Sequence, residues 1–261
     1  QHELIAIVVI VLKKVGEMPA FFITNQAIVK IASWEKHRHQ TKECFRVSKK
    51  MNCELDHLVI GAETLDQGCD FIGDLFGERP HPGGEHPNMG THNALMHLGG
   101  TVYLEVIAIN PDAAPAAWPR WFSLDEAKTR LSLKDQPRLI TWVARTHHIE
   151  MIGSLDDYAQ SSVRSMSRGD LAWQFAFSTD GRCIADGLLP HVIQWQSDEH
   201  PTDAMLASPV QLLTLRGCAP DANNIQLVIN KMGLSSVFTC DSAKDGQVKL
   251  TAEFTTPKGV I

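Results

Sequence analysis

Two residues in this 261-residue chain carry chemistry in surroundings that do not suit ordinary solvation: His57 in LDHLVIGA and Glu105 in VYLEVIAI. A carboxylate inside an apolar run costs free energy to bury unless it is paired or bound to a cation, so Glu105 calls for a partner. If LDHLVIGA is a strand, His57 alternates onto the face that carries Val59 and Gly61, and a neutral imidazole is the commonest metal ligand. A buried hydrogen-bonded His–Glu pair, or a Glu105 on a wet sheet face, accounts for the same pattern.

Other polar residues sit where a ligand could be met. Four of the twelve histidines fall between 81 and 97. His81 and His86 adjoin prolines in a loop, whereas His92 and Asn93 open a strand beside a glycine-rich segment, where a ligand can approach the backbone. Arg168 begins a strand near Trp173, and a guanidinium grips a carboxylate bidentately; a surface ion pair with Asp170 is the competing use. Five of the six tryptophans, Trp195 among them, lie between 118 and 195, suited to a pocket or to plain core packing. His147 and His148 read as helix-capping residues and His200 as a turn residue. Other chemistries lack their motifs: the chain has no GxSxG, no P-loop, no HExxH and no GxGxxG after a strand. Cys69 falls on an apolar helical stripe and reads as core.

The elements that position these residues recur in a fixed order. Residues 55–62 read as a buried strand. A helix follows, with Thr64 or Asp66 as N-cap, Leu65, Cys69, Ile72 and Phe76 at helical spacing, and Gly77 at its left-handed C-terminus. RPHPGGEHPNMG (79–90) reads as a loop, and residues 92–98 and 101–109 as a hairpin around Gly99 and Gly100. The order repeats with a strand at 138–146, a helix in HHIEMIGSLDDYAQ, and strands at 170–178 and 188–196. It recurs with a strand at 211–217, a helix in DANNIQLVINKMG and a closing pair of strands. Gly61 to Gly77 and Gly217 to Gly233 are both 16 residues apart, as in copies of one unit. Repeated βαββ(β) units must bury their apolar faces, which predicts an α+β fold of curved mixed sheets with helices outside.

Composition bounds the rest. Lys and Arg total 24 against 30 Asp and Glu, giving a net charge of −6 and no basic footprint for nucleic acid. Residues 1–50 hold nine Lys/Arg against four Asp/Glu, leaving 15 against 26 beyond them. The segment reads as a poorly ordered extension, and Met51 is a candidate start site with residues 1–50 as upstream or cloning-derived sequence. The longest apolar run, Leu4 to Leu12, is about half the roughly 20 residues needed to cross a bilayer. Six scattered cysteines without a CxxC pair suit free thiols in a reducing cytosol, so the protein is expected to be cytoplasmic.

LDHLVIGA with its helix, HPNMGTHNALMHLGGTVYLEVIA and PRWFSLD together resemble the glyoxalase-like branch of the vicinal oxygen chelate superfamily. The resemblance spans about residues 54–261 and is strongest over 54–125. It implies a glyoxalase/bleomycin-resistance-like domain over 51–261, with modules at about 54–110, 138–197 and 210–257. It also implies a divalent metal ion (Zn, Fe, Mn or Ni) on a concave sheet face, held by ligands from the first and last strands of a module. Carried over, those ligands are His57 and Glu105. In the second module the matching positions are Thr141, a poor ligand, and His191 or Gln194; in the third, Leu213 and a Glu253 two residues off register. The expected set is then His57, Glu105 and His191, with Glu105 or His191 moving a proton, and His92, Asn93, Arg168 and Trp195 contacting substrate. The implied activity is a metal-dependent lyase, isomerase or dioxygenase acting on a small oxygen-rich molecule, with homodimerisation allowed. The alternative is a metal-free protein of the same fold that sequesters a small compound.

Overall fold

A computed structural model describes residues 51–261 apart from Asp198. The expectations for residues 1–50 lie outside the described residues.

The first strand, β1 (Glu54–Gly61), leads into helix α1 (Leu65–Phe76). Thr64 caps the helix by accepting from the Gln67 amide, and Gly77 closes it at φ 83°. Its buried stripe of Gly68, Cys69, Ile72 and Phe76 packs on the sheet. The chain returns through β2 (His81–His86), β3 (Thr91–His97) and β4 (Tyr103–Ile109). The second module is β5 (Arg138–Arg145), β6 (Ser161–Arg168), β7 (Leu171–Ser178) and β8 (His191–Trp195). All eight strands form one sheet in the order β2-β3-β4-β1-β5-β8-β7-β6. Within each module the first strand runs parallel to the last, and β1 meets β5 antiparallel at the centre.

Period-2 alternation gives this sheet two apolar faces. Val59, Ile107, Val143, Phe175 and Ile193 face the concave side, capped by Trp121, Phe122 and Leu124. Leu58, Ile60, Leu104, Val106, Trp142, Ala144 and Val192 face outward. The sheet curls until its edge strands β2 and β6 approach one another, and a Cβ on Gly84 would fall 2.7 Å from Cδ of Arg168. Only glycine permits that approach.

Two sequence-based expectations are corrected, and two elements carry no sequence reading at all. The 79–90 segment contains β2; its Pro82 is tolerated because β2 is an edge strand, and its register shift between Pro82 and Glu85 is a bulge over two glycines. Strand β6 falls in residues 161–168, a stretch to which the sequence reading assigns no element. The helix expected in HHIEMIGSLDDYAQ is two short 3-10 turns, Ile149–Ser154 and Asp156–Tyr158. Helix α2 (Ala127–Asp135) was missed because only Leu133 of its nine residues is buried, leaving no apolar stripe to read.

The last unit is β9 (Gln211–Ala219), α3 (Ala222–Met232), β10 (Phe238–Ser242), β11 (Lys249–Thr256) and β12 (Gly259–Val260). It forms its own sheet in the order β10-β9-β11-β12, with β10 parallel and β11 antiparallel to β9. This arrangement differs from that of the two modules. It covers the outer face that the second module's missing helix leaves open: Phe238 stacks on Trp142 at 5.2 Å, and the Tyr158 hydroxyl meets Met232 Sδ at 3.6 Å. Among the described residues no helix is long and apolar enough to cross a membrane.

Candidate functional site

The concave face carries a chain of ionisable groups from three strands and one loop. In β1 the register against β5 shifts between Leu55 and His57, so Asp56 is the unpaired residue of a bulge. A bulge re-aims a side chain, and here two consecutive residues serve one site. Asp56 Oδ1 lies 2.6 Å from His57 Nδ1, while its Oδ2 accepts from Trp195 Nε1 at 2.9 Å and lies 3.2 Å from His200 Nε2. On its other side His57 presents Nε2 to Glu105 Oε2 at 3.6 Å. Tyr103 stacks flat on the imidazole, with ring centroids 4.5 Å apart.

Asn93, on β3, ties this chain to the sheet's far edge. Its amide nitrogen donates to Glu105 Oε1 at 2.6 Å. Its carbonyl oxygen accepts from the Gly84 amide at 2.8 Å and from Arg168 at 3.2 Å. Those three partners fix which end of the amide is oxygen. Among the described residues no carboxylate lies within ion-pairing distance of Arg168, the candidate Asp170 included.

The electrostatics follow from this packing. Burial disfavours a charged His57, but the hydrogen bonds and charges of Asp56 and Glu105 outweigh it and push the imidazole up to about 9. Burial likewise opposes charge on Asp56 and Glu105, yet contacts with His200 and His57 hold Asp56 well below the usual carboxylate range, and His57 does the same for Glu105. His57 is therefore an imidazolium held between two carboxylates at neutral pH. His86, bonded through Nδ1 to Thr91 Oγ1 at 3.0 Å, is driven down to about 4 by burial and stays neutral.

The strand registers expose a symmetry between the modules. Glu105 pairs with Val59 and His191 with Val143, while Val59 faces Thr141 and His57 faces Val143 across the central β1–β5 seam. Thr141 thus stands where His57 does, and His191 where Glu105 does. The structure brings His57 and Glu105 together but not His191. That histidine is fully buried, with its ring 5.9 Å from Phe175 and 5.0 Å from Phe122, and among the described residues neither ring nitrogen makes a hydrogen bond of good geometry, the Ala176 backbone being its polar neighbour. Burial drives it down to about 3.

Among the described residues, no three His, Cys, Asp or Glu side chains form a group able to hold a metal ion. His57 and Glu105 supply two convergent donors, but His57 is already clamped by two carboxylates, Thr141 is a weak donor and His191 lies against Phe122. The ligand set expected from the sequence is not assembled, and the residues present do not fit a three-ligand centre.

Two neighbouring spaces that share lining residues border this chain. An inner cavity of about 40 Å³ is lined by His57, Glu105, Asn93, His86, Trp173 and Trp195, among others. Leu95, Arg168 and Pro201 line both it and an outer vestibule of about 730 Å³. Of the expected substrate contacts, Asn93, Arg168 and Trp195 reach the inner cavity; His92 alternates to the opposite face of β3 and does not line it. Sequence reading passed over Asp56, Tyr103 and His200. The Asp-His dipeptide in LDHL was the available signal for the first; nothing local marked the other two.

A family model for a glyoxalase-like domain matches residues 55–232, and the chain belongs to that family. A crystal structure of a hypothetical protein from Staphylococcus aureus is similar at TM-score 0.52 and 17% identity, over 76% of this chain and 90% of that one. Methylmalonyl-CoA epimerase from Mycobacterium tuberculosis is similar at TM-score 0.35 and 16% identity, over 58% and 92% of the two chains. A methylmalonyl-CoA epimerase in complex with methylmalonyl-CoA and NH4+ gives TM-score 0.36 and 16% identity, over 57% and 99%. No functionally curated protein matches the chain.

Proposed function

We propose that this protein is a glyoxalase-like enzyme of isomerase or lyase type that moves a proton in a small acid bearing neighbouring oxygens, such as a 2-hydroxy or 2-oxo acid. The observation that carries the reading is the buried His57 imidazolium facing Glu105 at 3.6 Å in a cavity whose other wall is Arg168. Arg168 has donors free for a substrate carboxylate. Glu105 is the base: the C–H bond next to the carbonyl or carboxylate breaks, its proton passes to Glu105, and the electron pair moves onto oxygen. The His57 positive charge lies beside that developing charge and stabilises it, and Asp56 keeps the ring charged and oriented. Returning the proton to the opposite face, or to the neighbouring oxygen-bearing carbon, completes an isomerisation; loss of a neighbouring group with its electron pair completes an elimination. Trp121, Trp173 and Trp195 exclude water.

The test is proton NMR in D2O on a panel of 2-hydroxy and 2-oxo acids. The expected result is exchange of the hydrogen next to the carboxylate or carbonyl, slowed at least about a hundredfold by Glu105→Gln. Binding without exchange makes the protein a sequestering module instead; neither binding nor exchange across the panel overturns the reading.

One observation favours a second reading, a divalent-ion centre on His57 and Glu105. A carboxylate behind the distal imidazole nitrogen, the place Asp56 takes on His57, is the usual support of a metal-ligating histidine. That reading requires His191 to leave its place against Phe122, and metal analysis of purified protein decides it.

A further inference from the structure

The two spaces at the site differ in size and in lining, and the difference bears on what the substrate looks like. The inner cavity, about 40 Å³, has room for only about three water-sized groups beside His57 and Glu105, the size of a small carboxylate head. The vestibule, about 730 Å³, falls in the size range of pockets for drug-sized ligands. Arg168 stands at the junction, so an anion held there leaves the rest of its molecule in the vestibule. Leu95, Leu171, Pro201 and Met205 give that space apolar walls, while the exposed carboxylates of Asp170 and Glu199 line it as well. A second anionic group in the vestibule meets like charge.

We infer that the substrate is a two-part molecule: a small anionic oxygen-bearing head for the inner cavity, and an uncharged apolar or aromatic body for the vestibule. The inference rests on the reading of Arg168 and the His57–Glu105 pair given above. It disfavours a second anionic group on the body, which would share the vestibule with Asp170 and Glu199.

Calorimetric titration of the full chain with lactate, mandelate and 4-carboxymandelate tests it. The three share one head; the second adds a phenyl body and the third adds a charge to that body. Mandelate is expected to bind about tenfold more tightly than lactate, as burial of part of a phenyl ring provides. The added carboxylate should cancel that gain, and Glu199→Gln should recover part of it. Ala204→Trp, which places an indole in the vestibule where the phenyl body would lie, should lower the mandelate-to-lactate ratio toward one. Equal binding of lactate and mandelate, tighter binding of 4-carboxymandelate than of mandelate, or a ratio untouched by Ala204→Trp overturns the two-part ligand while leaving the head site standing. Failure of all three acids to bind overturns the head site, and this inference falls with it.

Discussion

Arg168 reaches across the mouth of the curled sheet to the side-chain oxygen of Asn93, 3.2 Å away and 75 positions earlier in the chain. The contact joins the two modules at their outer edges and leaves the remaining guanidinium donors facing both cavities. Replacing Arg168 by Met removes the anion anchor from a half-buried position and leaves the core intact. Affinity for 2-hydroxy acids should fall by about 2 kcal/mol, about thirtyfold, with little change in melting temperature. Calorimetry and a thermal melt on the same preparation check both halves.

The same contact depends on Gly84, where a side chain has no room beside Arg168. Gly84→Val should displace Arg168 and reproduce the binding loss of Arg168→Met. A Gly84→Val protein that binds as tightly as the parent would show that Arg168 does not anchor the ligand.

His191 supplies a prediction about acid. Its folded-state value is depressed to about 3 from an ordinary 6.5, so the unfolded chain takes up a proton between these values and the folded chain does not. Stability contributed by keeping this ring neutral is therefore present above pH 6.5 and declines as pH falls toward 3. At pH 5 the loss from this group is about 2 kcal/mol. His191→Leu removes the titrating group, so its stability relative to the parent should rise from pH 7 to pH 5. Denaturant melts at both pH values measure it; a difference that does not change with pH would contradict the assignment.

Trp142 is fully buried on the outer face and stacks on Phe238. Trp142→Ala should cost about 3–5 kcal/mol, and Phe238→Ala a similar amount. Because the rings touch, the double variant should lose less than the two single losses together, a coupling that a double-mutant cycle reads directly.

Metal removal separates the two readings of the centre. Dialysis against EDTA should leave mandelate binding and hydrogen exchange unchanged, since the groups that carry them belong to the chain. Loss of exchange on chelation, restored by one divalent ion and sensitive to both His57→Ala and Glu105→Gln, would favour the metal centre.

The legible parts of the sequence were those where one physical rule acted alone. Helix α1 has a cap, a stripe and a terminal glycine, and each is found where the spacing put it. Glu105 drew attention because a carboxylate in an apolar strand needs a partner, and His57 is that partner. The second module was harder to read. HHIEMIGSLDDYAQ has helical spacing at Ile149 and Ile152, but its length is divided between two 3-10 turns. Strand β6 alternates burial without apolar character, since SSVRSMSR places serines and arginines on a sheet edge. His200 acts through Asp56, 144 positions away, a relationship created only when β1 and the loop after β8 meet. His191 shows the limit of reasoning by matching position: its register is that of Glu105, yet Phe122 and Phe175 occupy the space around its ring.

The cover over the second module also sets a timetable for synthesis. Strand β8 ends at Trp195, but the residues that close its outer face, Met232 and Phe238 among them, are translated about 40 residues later, a delay of several seconds at ordinary ribosomal speed. The first strand waits as well, because the Cys53 amide donates to the carbonyl of Met232. A nascent chain stalled before α3 should therefore present Trp142 and its neighbours as a sticky apolar surface, an early client for chaperones, and become protease-resistant only once α3 and β10 have emerged.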